Sequence, residues 1–366
     1  MADTGSGDLP PRARLPLLAL GFVALLIGIF SGLARLGVTV DAKAASLAAF
    51  HGPMMIAGFF GVVIALERAV ATARLWAYAA PLLAGLGAIG VFAGRPSEGA
   101  VAMTAGAVAL VIASIRFVRI QPALHTATVA AGAIALAAGN GVWAATGRPS
   151  AAVPAWIAFL VLTIAGERLE LTRFLPRSEF AQRAFAAIVA AIAAAMALSA
   201  SPAAARAFGV ALLALSAWLY AYDLARRTIR DSGLTRYPAA CLLSGYVWLA
   251  IGGAIVAAAG LEPGTRAYDA ALHALFVGFV FSMVFGHAPI IFPAVLRVKV
   301  PYSPAFYAPV ALLHASVALR LAADAADAIG ARQAGAIGNA LAIGLFIVTA
   351  ITAVVRGRRQ TPQPAR

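Results

Sequence analysis

Long apolar runs separated by short polar gaps make up almost the whole chain. About 20 residues of α-helix suffice to cross the hydrocarbon core of a bilayer. Runs of this kind occupy residues 15–37, 44–66, 75–94, 99–119, 122–146, 150–168, 181–200, 203–225, 238–260, 268–292, 304–323 and 334–355. The pattern predicts an all-α, polytopic membrane protein. A single twelve-helix domain over residues 15–355 lies between a tail at 1–14 and a basic tail at 356–366.

Composition agrees with this prediction. Apolar residues make up 62% of the 366 residues and charged residues 11%, with a mean hydropathy of +0.90. Soluble proteins have about 25% charged residues. The formal net charge of +14 does not indicate a nucleic-acid partner, because the arginines are spread over the short gaps between apolar runs. The lone Cys241 lies inside an apolar run, so there is no disulfide framework.

The distribution of basic residues predicts the orientation. With the N-terminus placed in the cytoplasm, the inner segments contain twenty Lys and Arg residues and the outer segments contain eight. Such an excess is typical of cytoplasmic loops. Both tails are therefore predicted to be cytoplasmic, and membrane lipid is the predicted surrounding of the helices.

A faint repeat places charges at the predicted inner ends of two helices. Helix 2 ends with Glu67-Arg68 and helix 6 with Glu167-Arg168. The two pairs could join crosswise, each carboxylate meeting the guanidinium of the other helix. The alternative is that both are solvated helix ends, and a catalytic role would need a polar pocket beside them.

Two of the five histidines lie on helix 10, in the stretch Tyr268 to Pro293. In an α-helix, the fourteen steps from His273 to His287 return to nearly the same face about 21 Å further along the axis. One metal atom cannot bind both side chains. Each of these histidines therefore needs a partner at its own depth from another helix.

His51 on helix 2 and His273 on helix 10 are predicted to lie at equal depth, about 8–10 Å from the outer edge. Two neutral imidazoles at one depth suit a six-coordinate haem held edge-on between helices. Their apolar neighbours are Phe50, Met54, Met55, Phe59, Phe276 and Phe279. The alternative is that each histidine hydrogen-bonds to a neighbouring helix.

The haem propionates would then need cations at the outer surface. Arg266, just ahead of helix 10, and Arg320, at the outer end of helix 11, are the nearest candidates. Either arginine could instead anchor a helix end by extending its guanidinium to the membrane surface.

The inner half of the membrane contains a weaker candidate. His287, which is followed by Ala-Pro, and His314 on helix 11 are predicted as a second metal or substrate site. The alternative for both is structural hydrogen bonding or a helix kink. His125, near the inner start of helix 5, is predicted to be a surface residue.

Two motifs resemble a known family. The segments H-G-P-M-M-I-A-G-F-F-G on helix 2 and H-A-L-F-V-G-F-V-F-S-M-V-F-G-H-A on helix 10 resemble those of the NnrS family of bacterial haem- and copper-containing membrane proteins. The helix count and the histidines on helices 2 and 10 also resemble haem-copper oxidase subunit I. A-P-I-I-F-P follows His287, where the NnrS family has a turn rich in glycine and arginine.

The resemblance implies a protein of the bacterial inner membrane that acts in nitric oxide or respiratory redox metabolism. A b-type haem would be bound by His51 and His273, copper is a further expectation for His287 and His314, and nitric oxide is the implied small-molecule ligand. Whether the protein turns over a substrate stays open. A proton-pumping oxidase is not expected. In that family helices 6 and 7 supply most of the histidine ligands of the oxygen-reducing metal centre, and this chain has no histidine between Ser150 and Ala200.

Two other classes remain open. A secondary transporter of a small solute or metal ion would also have about twelve helices, with interrupted helices at matching positions in two halves. An assembly factor for another membrane complex is the third class. Only the haem protein requires a stoichiometric Soret band.

Overall fold

A computed structural model describes residues 7–172 and 178–359 of the chain. Throughout these residues the regular structure is helical. The predicted tail positions 1–6 and 360–366, together with Arg173 and Arg177 of the predicted inner loop, lie outside the described residues.

The twelve predicted membrane helices are confirmed in the described part of the chain. We label them α1 to α12 in chain order. They are Pro11–Arg35, Ala48–Thr72, Leu75–Phe92, Pro96–Ile120, Leu124–Thr146, Pro149–Leu171, Glu179–Ala197, Pro202–Tyr222, Gly233–Ala259, Arg266–Leu296, Pro304–Ala326 and Ile329–Arg358. Their length and hydropathy fit membrane spans, while the side on which the termini lie stays a prediction from the arginine count.

Proline begins five of these helices, at Pro11, Pro96, Pro149, Pro202 and Pro304. The N–H of the first helical residue has no hydrogen-bond acceptor within the helix, so proline loses nothing there. Proline also has the φ angle that the first turn requires. Short loops with a proline at the helix start therefore separate consecutive spans.

Apolar side chains cover the outside of the helices. On α12 the exposed residues Ile337, Leu341, Leu345, Val348 and Ile351 recur every three or four positions and share one helix face. A continuous exposed apolar face of this length is typical of contact with lipid.

The described residues form two compact units. The first contains 7–172 and 189–199, and so includes α1 to α6. The second contains 178–188 and 200–359, and so includes α8 to α12. Within the second unit, α8 and α9 approach so closely at Gly209 that an added Cβ would meet the backbone at Gly253 and Ala257. Glycine is needed there because the two backbones touch.

Among the described residues, two helices contain a π-helical segment, and each segment follows a candidate histidine. In α2 it is Met54–Phe60, three residues after His51, and in α10 it is Ala274–Phe281, directly after His273. Such turns are rare and are frequent at functional sites. The α10 segment corrects the sequence-based geometry, because a π turn adds about one residue and rotates His287 by about 100° away from the face of His273.

Candidate functional site

His51 lies at a change of helix type in the first unit. A 3₁₀ turn, Ala48–Phe50, ends directly before this residue, and the π-helical segment begins three residues after it. The imidazole Nδ1 is 2.6 Å from the carbonyl oxygen of Gly28 on α1. One turn further along α1, a Cβ added to Gly32 would lie 2.6 Å from the same Nδ1. The absence of a side chain at Gly32 therefore lets α1 approach the imidazole ring.

The carbonyl partner determines the tautomer of His51. A carbonyl oxygen only accepts hydrogen bonds, so Nδ1 must donate its proton to Gly28. The neutral ring then carries a lone pair at Nε2, which is the form that binds a metal ion. Metal-binding histidines almost always donate their other ring N–H to a carbonyl or carboxylate group.

His273 in the second unit has the same tautomer, supported by a different environment. Its Nδ1 donates to the backbone carbonyl of Asp269, one turn earlier on α10, over 2.7 Å. The carboxylate of the same residue also approaches, with Oδ2 at 3.4 Å from Nδ1. His273 thus has a charged group beside Nδ1, which His51 lacks in its contact with Gly28.

Two arginines from other helices bind the Asp269 carboxylate. Arg320 on α11 donates from Nε and an Nη atom to Oδ2 over 3.2 and 2.9 Å, and an Nη atom of Arg332 on α12 lies 3.1 Å from the same oxygen. Nε of Arg332 lies 2.7 Å from Asp324 on α11. We call Asp269, Arg320, Arg332 and Asp324 the carboxylate–arginine cluster.

The two predicted propionate-binding arginines have carboxylate partners in this structure. Arg320 is buried and binds Asp269, and Arg266 is half-exposed and forms an ion pair with Asp327. Both lie at the end of the second unit that contains His273. Asp269 and Arg332 were missed from the sequence, although the spacing of four between Asp269 and His273 was a usable signal.

His287 resembles the other two histidines in its tautomer and in the backbone carbonyl that sets it. Its Nδ1 donates to the carbonyl oxygen of Met283 over 2.7 Å. The helix continues beyond it through Pro289 and Pro293 to Leu296 and ends with Arg297 in the left-handed conformation. The histidine is therefore part of a regular, proline-containing helix end.

His314 has the opposite tautomer. Trp248 on α9 donates its indole N–H to Nδ1 of His314 over 2.8 Å, so the proton of the neutral ring is on Nε2. Nε2 is buried and has no hydrogen-bond partner within the described residues. A metal ligand needs a lone pair at that nitrogen, so His314 as described does not fit the copper predicted for it with His287. The described residues contain no group of three or more side chains suited to a metal ion.

Two sequence-based predictions about charged or polar helix ends have different outcomes. His125 is buried, with 7% of its surface exposed, so its prediction as a surface residue is wrong. The reason is the close approach of α5 and α6, where a Cβ on Gly166 would lie 3.0 Å from the His125 carbonyl oxygen. The crosswise pairing of helices 2 and 6 is confirmed for Arg68 and Glu167, which are 3.3 Å apart.

Comparison with known proteins identifies a family. The profile of a family described as "Domain of unknown function (DUF8744)" matches residues 14–355. The chain belongs to this family. No curated protein matches the sequence.

Proposed function

We propose that this member of the DUF8744 family is a membrane haem protein in which His51 and His273 are the iron ligands. Its role would be in nitric oxide or respiratory redox metabolism, as the likeness of its two histidine motifs to the NnrS family suggests. The resemblance rests on those motifs and on the helix count.

One repeated arrangement carries the proposal. In each unit a half-buried histidine donates Nδ1–H to a backbone carbonyl and is followed within three residues by a π-helical segment. His287 has the hydrogen bond without the π-helical segment, and His314 has the other tautomer. Because π turns are rare and occur frequently at functional sites, their pairing with these two histidines favours a shared role.

The donor set fits a low-spin haem. Both rings offer a neutral imidazole Nε2, the ligand type found in bis-histidine haem sites. Met54 and Phe59 on α2, and Phe279 on α10, are buried apolar side chains close in sequence to the two histidines. A haem in such a site supplies reversible one-electron transfer. The chain's own part is to orient the two rings.

A transporter is less well supported. The two irregular helices are the second among α1 to α6 and the fourth among α7 to α12. Inverted-repeat transporters have their interrupted helices at corresponding positions of the two halves.

The proposal is tested by the optical spectrum of the protein purified from its native or a haem-producing host. We expect about one haem per chain and the sharp reduced α-band of a six-coordinate, low-spin iron. His51→Gly and His273→Gly should each remove that band, and added imidazole should restore it in part. Imidazole rescue distinguishes the loss of a ligand from the loss of the fold.

His287→Ala is the matched control, because His287 has the same carbonyl hydrogen bond on the same helix. It should retain the band. A wild-type protein without haem, or single glycine variants that keep the full band, would show that the proposal is wrong.

The narrower role in nitric oxide metabolism needs its own measurement. We expect a change in the Soret band on addition of nitric oxide, and oxygen consumption with quinol far below respiratory rates. The second expectation follows from the absence of histidine between Ser150 and Ala200, since imidazole is the neutral ligand suited to copper and iron. Rapid haem-dependent oxygen reduction would refute this role.

A further inference from the structure

We propose that Asp269 is a positioning residue for His273, and that its carboxylate makes His273 a stronger electron donor to a bound metal. This inference rests on the proposed function, because it assigns a role toward the same haem. It adds two residues, Asp269 and Arg332, that neither the histidine motifs nor the family match indicates.

The geometry gives Asp269 two contacts with one nitrogen. The backbone carbonyl takes the Nδ1 proton of His273 at 2.7 Å, and the carboxylate Oδ2 lies 3.4 Å from the same nitrogen. The carbonyl therefore fixes the tautomer, and the carboxylate adds a negative charge beside it. A negative charge near Nδ1 raises the basicity of the ligating imidazole.

The arginines hold the carboxylate in place. Oδ2 of Asp269 receives Arg320 at 2.9 Å and Arg332 at 3.1 Å, from α11 and α12 respectively. Asp324 binds Arg332 in turn at 2.7 Å. The Asp269 side chain, with 20% of its surface exposed, is therefore fixed by arginines from two other helices. The arginines also offset part of the charge that His273 experiences, so the cluster sets how strongly Asp269 acts.

The test is the midpoint potential of the haem in variants that differ by one charge. Asp269→Asn keeps the backbone carbonyl and removes the carboxylate charge. A weaker donor stabilises ferric iron less, so we expect a more positive potential. The affinity for ferric haem should fall by about tenfold or more, the range found when a group that supports a metal ligand is removed.

Arg332→Gln should shift the potential in the opposite direction. It removes one of the two cations that offset Asp269, while Arg320 stays bound to the carboxylate. If Asp269→Asn fails to fold, Arg332→Gln still tests the inference. The matched control is Asp327→Asn, the same charge change at an exposed residue whose partner is Arg266. That control should leave the potential unchanged, because solvent screens exposed charges.

A readout without haem completes the test. In haem-free protein labelled with ¹⁵N at its five histidines, the Nδ1 resonance of His273 should shift in Asp269→Asn and stay in Asp327→Asn. Wild-type protein that never contains haem would refute the proposed function. Wild-type protein with haem, and a potential and a His273 resonance that do not change in Asp269→Asn, would refute the inference alone.

Discussion

His51 in the first unit and His273 in the second have the same tautomer in different surroundings. The neutral backbone carbonyl of Gly28, on the neighbouring helix α1, accepts the hydrogen bond from Nδ1 of His51. His273 donates to a residue on its own helix, whose carboxylate is bound by two arginines. Helix packing therefore positions the first ring, whereas a charge network positions the second.

A membrane protein can thus position one imidazole ring by helix packing and another by a network of charges. A neutral backbone carbonyl changes the electron-donor strength of an imidazole ring little. The position of such a ring depends on how closely the two helices approach each other. A ring beside a fixed carboxylate can have its donor strength changed by a single charge several ångströms away. We expect packing variants to act through His51 and charge variants through His273.

The largest effect is expected from removing the π turns. Deletion of Val277, inside the α10 segment, should restore ordinary α-helical bonding and rotate His273 relative to the rest of α10 by about 100°. Deletion of Ala57 should do the same to His51 on α2. Haem content after purification should fall to background in both variants, with helical content by circular dichroism unchanged. Retention of a wild-type spectrum in either would show that the turn does not set the direction of the ring.

A packing variant should separate the two histidines. Gly32→Val would place its side chain on the imidazole of His51, where even a Cβ would be 2.6 Å from Nδ1. The ring must move, so we expect the dissociation constant for haem, measured by titration, to rise about 10- to 100-fold. The His273 resonance should be unchanged.

Gly28→Ala is the control for this variant. Its added Cβ would meet the flexible side chain of Met55, with the sulfur at 2.7 Å, rather than the ring. A methionine can adopt another rotamer, so the loss of affinity should be smaller. Equal losses for Gly28→Ala and Gly32→Val would argue against a specific contact with the ring.

The ion pairs of the two units should differ in their contribution to stability. Arg320→Gln removes one partner of a buried ion pair and leaves Asp269 with Arg332 alone. It should lower the free energy of unfolding by about 3 kcal/mol, because a buried charge then loses a counter-charge. Arg68 forms one longer contact with Glu167 and is more exposed, so Arg68→Gln should cost about 1 kcal/mol or less. Denaturant unfolding in detergent measures both. A larger cost for Arg68→Gln would reverse the comparison.

The sequence predicted the helices well because membrane spans have a strong local signal. All twelve runs are helical, and the pairing of Arg68 with Glu167 followed from two similar helix ends. His51 and His273 stood out because histidine is rare in such runs. Local composition was sufficient for these features.

Apart from the Arg68–Glu167 pair, contacts between helices could not be predicted. The partners of His51 and His314 lie 23 and 66 residues away in the chain, at Gly28 and Trp248. The burial of His125 depends on Gly166, on the next helix. No residue pattern in the sequence predicts the π-helical segments. The one in α10 changes the predicted alignment of His273 with His287.

The smallest effect is expected at His314, which has the opposite tautomer to His51 and His273. His314→Phe removes a buried Nε2–H donor that has no partner among the described residues, and it also removes the acceptor of the Trp248 indole N–H. Each unpaired buried donor costs about 1–3 kcal/mol, so gain and loss should cancel to within about 1 kcal/mol.

Trp248→Phe leaves His314 without its only described donor and should destabilise the protein more. Haem content should be unchanged in both variants, since the neutral ring carries its proton at Nε2. Loss of haem in His314→Phe, with folding retained, would mean that this histidine binds the metal in another tautomer.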